Sequence, residues 1–118
     1  MEQIHISEVA ALNDLCKTIN DWATEKGWND VVDSASHKAE QIALMHSELS
    51  ECLEFVRKKV QPAMDDHVPI LTGEAAELAD VLIRIFHYCG KRNINLGEAV
   101  RLKHEYNTKR PHRHGKTI

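Results

Sequence analysis

A chain of 118 residues suits one domain and one modest core, small enough that partner subunits would add stability, so an oligomer is expected. Hydrophobic residues make up 42% and charged residues 28%, which excludes a disordered chain, and three prolines and five glycines leave room for long helices. The net charge of -3 divides unevenly: residues 1–100 hold 17 acids and 9 bases (-8), whereas residues 101–118 hold 6 bases and 1 acid (+5).

Punctuation in the chain predicts four helices. Ser7 is placed to cap a first helix running to about Lys26, with Gly27 as its stop. Val9, Leu12, Cys16, Ile19 and Ala23 recur there at helical spacing, and Leu15 and Trp22 widen the stripe. Ser34 or Ser36 caps a second helix to about Val60, ended by Pro62. After a loop over residues 61–71, Thr72 caps a third helix to about Cys89, with Gly90 as its stop. Asn95 caps a fourth through about Thr108, before Pro111. No stretch alternates with period two, so no sheet is expected. The predicted fold is all-α, an antiparallel four-helix bundle forming a single domain over residues 1–118, with a basic tail from about residue 109.

Cys16, Cys52 and Cys89 are odd in number and lack a Cys-x-x-Cys pair, which argues against a disulfide framework or zinc ribbon; they read as core residues. His104, His112 and His114 lack a paired ligand motif and read as incidental. The start has no secretory signal and no apolar run reaches membrane-spanning length, so the expectation is a cytoplasmic protein without a membrane partner.

The acids carry the chemistry. On the second helix Glu48 falls inside the apolar arc of Leu44, Phe55, Cys52, Met45, Val56, Leu49 and Ile42, and Glu51 borders it; Glu54 and Lys58 lie on the polar side. A carboxylate within a core is costly unless a partner, a proton or a metal accompanies it. On the third helix Glu77, Asp80 and Arg84 form a polar line beside Leu78, Leu82, Ile85, Phe86 and Cys89. Each acidic pair is spaced i, i+3 and so lies on one side of a turn. If the two helices pack antiparallel, the four carboxylates converge and require a cation, and an all-oxygen set selects Mg²⁺ or Mn²⁺ over zinc. A di-iron bundle would want Glu-x-x-His; here the i+3 partners are Glu51 and Asp80.

Glu48-Leu-Ser-Glu51 and Glu77-Leu-Ala-Asp80, on successive helices, resemble the signature of the MazG-like all-α nucleoside triphosphate pyrophosphohydrolases. Glu-Lys-Gly-Trp (25–28), the stretch 73–81 and the ending 106–116 are similar to small members as well, so the resemblance covers about residues 20–118. One departure is Ser47, where many members carry a further glutamate. The resemblance implies hydrolysis of an NTP or dNTP to the monophosphate and pyrophosphate, with Mg²⁺ held by Glu48, Glu51, Glu77 and Asp80. It also implies homodimers or dimers of dimers with the pocket near a subunit interface. Glu51, at the edge of the apolar arc, is the residue expected to activate water.

Around this centre Trp28 either stacks on a base or packs on the bundle, and Arg84 either meets phosphate or pairs with Asp80, pairing being the preferred reading. Lys103 and Asn107 share a face of the fourth helix as pocket candidates. Lys109, Arg110, Arg113 and Lys116 are candidates to grip phosphates, which would account for the basic end on an acidic body. Two alternatives stand beside the hydrolase: a catalytically inactive helical interaction module, and a small nucleic-acid-associated protein using the tail. A short tail of arginines beside prolines and histidines is usually solvated, which disfavours nucleic acid.

Overall fold

The computed structural model describes residues 2–58 and 63–110. Four helices follow one another: α1 (Ile6–Glu25), α2 (Ala35–Arg57), α3 (Gly73–Lys91) and α4 (Leu96–Thr108). Among the described residues the extended pairing is an isolated antiparallel bridge between Met64 and Thr72, so the all-α expectation holds. No described helix is long and apolar enough to cross a membrane.

Most helix starts follow local chemistry. Ser34 accepts from the His37 amide (3.1 Å), Thr72 from the Ala75 amide (3.1 Å) and Asn95 from the Glu98 amide (3.1 Å), each satisfying an otherwise orphan donor of the first turn. α1 differs from expectation. His5, not Ser7, is its cap residue, because the Glu8 carboxylate reaches back to the His5 amide at 2.9 Å and draws Ile6 and Ser7 into the helix. Gly27, at φ 76°, ends α1 as predicted. Gly90 does not end α3. The helix continues to Lys91 and turns at Asn93, whose φ is 55°. Gly90 serves packing instead: a Cβ there would collide with the Cys16 carbonyl, so its absence lets α1 and α3 approach.

Extensive contacts run α2–α3, α3–α1 and α1–α4, which makes α3 the central helix of the first three. Cys16, Phe86 and Cys89 form the buried nucleus of the α1–α3 seam, with Leu12, Ile19, Ile85, Tyr88 and Leu96 around them. All three cysteines are free and buried, as expected. α4 is fastened to α1 by a reciprocal pair: Asn13 Nδ2 donates to Asn95 Oδ1 (2.8 Å), and the Gly97 amide donates to Asn13 Oδ1 (2.9 Å). The α1–α2 linker is anchored on α3 through Asp33 and Arg92 (2.7 Å). That arginine is 7% exposed and also lies over the Tyr88 ring.

The α2 arc is divided in two. Gln41, Met45, Glu48, Cys52 and Phe55 turn toward α3 and are buried or half-buried. Ile42, Leu49, Leu53 and Val56, within about 60° of one another on the helix, stay exposed, as do Leu78 and Leu82 on α3. The radius of gyration is 16.9 Å, against about 13.5 Å for a compact chain of this length.

Candidate metal centre and adjoining cavity

α2 and α3 run antiparallel, with Phe55 against Gly73, the Cys52 thiol near the Glu74 carbonyl, Glu48 opposite Arg84, and His37 opposite Lys91. Gly73 makes this register possible, since a Cβ there would occupy the place of the Phe55 ring. The two acidic motifs are thereby brought face to face. Glu48, Glu51 and Glu77 each offer a carboxylate oxygen within 4.8 Å of the others. Asp80 stands outside that group, one turn further along α3 and exposed, on the wall of the adjoining cavity.

Electrostatics record the crowding. The Glu77 carboxyl is pushed up to about 8, chiefly by hydrogen bonding with Glu48, then by burial, then by Glu51. Its Oε2 is buried without a partner. Asp80 is also raised from its ordinary value, by partial burial first and by the charge of Glu48 second. Glu48, 15% exposed, and not Asp80 as the sequence suggests, is the partner of Arg84, which directs Nε (3.2 Å) and Nη2 (3.0 Å) at its Oε1. Arg84 faces Glu48 across the antiparallel α2–α3 register, and its two donors go to that carboxylate rather than to Asp80 on its own helix.

The donor set fits a hard divalent cation. Three carboxylates close enough to share one ion, one of them with a buried oxygen that finds no donor, form an all-oxygen site whose mutual repulsion a cation would remove.

Beside the carboxylates lies a cavity of about 400 Å³, within the range of small-molecule sites. Glu48, Asp80 and Arg84 are among the residues that line it. Trp22 and Trp28, edge to face at 4.6 Å between centroids, line it as well. Trp28 is 53% exposed, so it is available to a ligand rather than buried in the bundle. His87 completes another part of the wall with a fixed tautomer. Asn29 Nδ2 donates to Asn20 Oδ1 and Thr24 Oγ1 (both 2.8 Å), which leaves Asn29 Oδ1 as the acceptor for His87 Nε2–H at 2.7 Å. Burial, then the nearby Lys91 and Arg92 charges, lower the His87 pKa and keep the ring neutral.

Of the residues singled out in the sequence, Trp28, Arg84, Glu48 and Asp80 meet at this cavity, and Glu51 and Glu77 adjoin it through Glu48. Lys103, Asn107, Lys109 and Arg110 belong to α4 and its end, which packs on α1, and none of them lines the cavity. Lys109 pairs with Glu105 (3.4 Å), and Arg110 donates to Asn107 (3.4 Å). Arg113 and Lys116 lie outside the described residues. Trp22, His37, Gln41 and His87 are cavity residues that the sequence reading missed. Gln41 and His87 carried a usable signal, each standing seven residues from a motif acid (Glu48 and Asp80) and so on the same helix face.

Comparison with protein-family models, with curated proteins and with solved structures finds no match to this chain.

Proposed function

We propose that the chain is a Mg²⁺-dependent nucleoside triphosphate pyrophosphohydrolase that converts an NTP or dNTP to the monophosphate and pyrophosphate. One observation carries this reading: Glu48, Glu51 and Glu77 converge around a buried, unpartnered carboxylate oxygen at the edge of a cavity walled by two tryptophans. The resemblance of the two acidic motifs to those of MazG-like enzymes supports it independently.

Glu48, Glu51 and Glu77 would hold Mg²⁺, or Mn²⁺ in its place, with Asp80 as a further ligand. A bound divalent ion supplies charge neutralisation at the triphosphate oxygens. The side chains do the rest. Trp22 and Trp28 give a base an aromatic surface, Arg84 supplies a forked donor for phosphate, and Glu51, the most exposed of the three glutamates, accepts the proton of the attacking water.

The same proposal makes the protein a homodimer or dimer of dimers. Its support is the uncovered stripe of Ile42, Leu49, Leu53 and Val56 on α2 with Leu78 and Leu82 on α3. Because α2 and α3 are antiparallel, both stripes turn to the same side of the pair and form one apolar face, of the kind that marks association surfaces. A second copy is also what would bring Lys103, Asn107, Lys109 and Arg110 to a cavity.

The deciding experiment incubates the chain with a panel of NTPs and dNTPs and Mg²⁺ and identifies the products. Monophosphate plus pyrophosphate from wild type, lost in Glu48→Gln, is the expected result. No turnover by wild type, or undiminished turnover by Glu48→Gln, would sink the proposal.

A further inference from the structure

Arg84 is the cation that Glu48 has in this structure. Its Nε and Nη2 both donate to the single oxygen Oε1 of Glu48, which also belongs to the group of three glutamates. The guanidinium therefore occupies the electrostatic place of a cation at one of the carboxylates that would ligate a metal. It is not locked there. The Arg84 side chain is 39% exposed, lines the cavity, and has no other hydrogen bond among the described residues. An arginine with a long flexible stem can reorient within such a space, and its planar fork suits phosphate oxygens as well as a carboxylate.

We propose that Arg84 is an exchangeable counter-ion, paired with Glu48 while the carboxylate cluster is empty and released to the phosphates of the substrate once a divalent cation is held there. The inference rests on the metal-dependent reading above and adds an order of events to it. Charge at Glu48 is balanced before the metal arrives, and the positive group freed by metal binding becomes a phosphate ligand in the same cavity. Binding of metal and of nucleotide are then coupled through one side chain, with opposite consequences when it is removed. Without Arg84 the metal loses a competitor and the nucleotide loses a contact.

Opposite signs make this testable. Mn²⁺ binding to the full chain is measured without nucleotide, from the electron paramagnetic resonance signal of free Mn²⁺, for wild type, Arg84→Met and Arg84→Lys; circular dichroism checks the fold of each. KM and kcat are then measured for a nucleoside triphosphate with Mg²⁺. The expected result is Mn²⁺ binding about fivefold tighter in Arg84→Met and KM raised about tenfold, with Arg84→Lys between it and wild type. Should Arg84→Met fail to fold, Arg84→Lys, which cannot place two donors on Oε1, carries the same test with about twofold tighter Mn²⁺ binding. Equal or weaker Mn²⁺ binding in the variants would overturn the exchange and leave Arg84 as a positioning residue for Glu48, with the hydrolase reading intact. Absence of Mn²⁺ binding in all three chains would overturn both.

Discussion

Glu77 sits against Glu48 across the α2–α3 seam, each presenting a carboxylate oxygen to the other within 4.8 Å, with one oxygen of Glu77 buried and unpartnered. Hydrogen bonding with Glu48, then burial, then Glu51 raise the Glu77 carboxyl to about 8, so that near neutral pH a proton on Glu77 relieves the repulsion between like charges. The contact is a source of instability that a ligand can relieve.

The pH dependence of stability follows from that contact. Unfolded, Glu77 returns to its ordinary value of 4.5, so between 4.5 and about 8 the folded metal-free chain holds a proton that the unfolded chain has lost. Stability from this group is full below 4.5 and is lost as pH rises toward 8. Asp80 shifts in the same direction; His87, lowered by burial, acts oppositely below its ordinary value of 6.5, and Asp33 and Glu98, held low by Arg92 and Arg101, act oppositely in the acid range below. The melting temperature of the metal-free chain should therefore fall from about pH 6.5, above which His87 no longer opposes Glu77, to about pH 8.5, and saturating Mg²⁺ should flatten the slope, since a metal-bound carboxylate keeps no proton. Calorimetric scans with and without Mg²⁺ check this; a metal-free melting temperature that rises across the interval would contradict it.

Glu48→Gln separates stability from catalysis. The change removes the carboxylate whose hydrogen bonding is the largest cause of the raised Glu77 pKa, so metal-free stability near pH 8 should hold or improve. Turnover with Mg²⁺ should fall by about 10²-fold or more, because a ligand has been lost. Thermal melts and product assays on the same preparation measure both.

Gly90→Ala tests the α1–α3 seam. Helix propensity alone would favour alanine by roughly 1 kcal/mol. Here the new Cβ meets the Cys16 carbonyl, a backbone atom that cannot swing aside, so a net loss of about 1–3 kcal/mol is expected. Urea unfolding gives the sign directly.

Leu53→Glu tests the uncovered face. Leu53 is 45% exposed within the chain, so a charge there should leave the fold of the monomer nearly unchanged, within about 0.5 kcal/mol. In the proposed dimer it should weaken association at least about tenfold by placing an unpaired charge in an apolar contact. Light scattering across a concentration series distinguishes the two states; a wild-type chain monomeric at every concentration would remove the dimer.

Local chemistry made much of this molecule readable from its sequence. Ser34, Thr72 and Asn95 cap helices because a short polar side chain satisfies an amide only two or three residues away, and that reach does not depend on the rest of the fold. Glu48 stood out for a similar reason, since its place inside an apolar arc follows from helical periodicity alone. What periodicity cannot supply is the rotation of one helix against another. That rotation turns Cys52 and Phe55 inward while leaving Leu53 and Val56 uncovered, gives Arg84 to Glu48 instead of Asp80, and gathers three of the four motif acids while setting Asp80 on the cavity wall. It depends on close approaches at Gly73 and Gly90, where the missing Cβ matters only because a Phe55 ring or a Cys16 carbonyl comes from elsewhere in the chain. A glycine that admits a distant neighbour looks, within its own segment, the same as one that ends a helix.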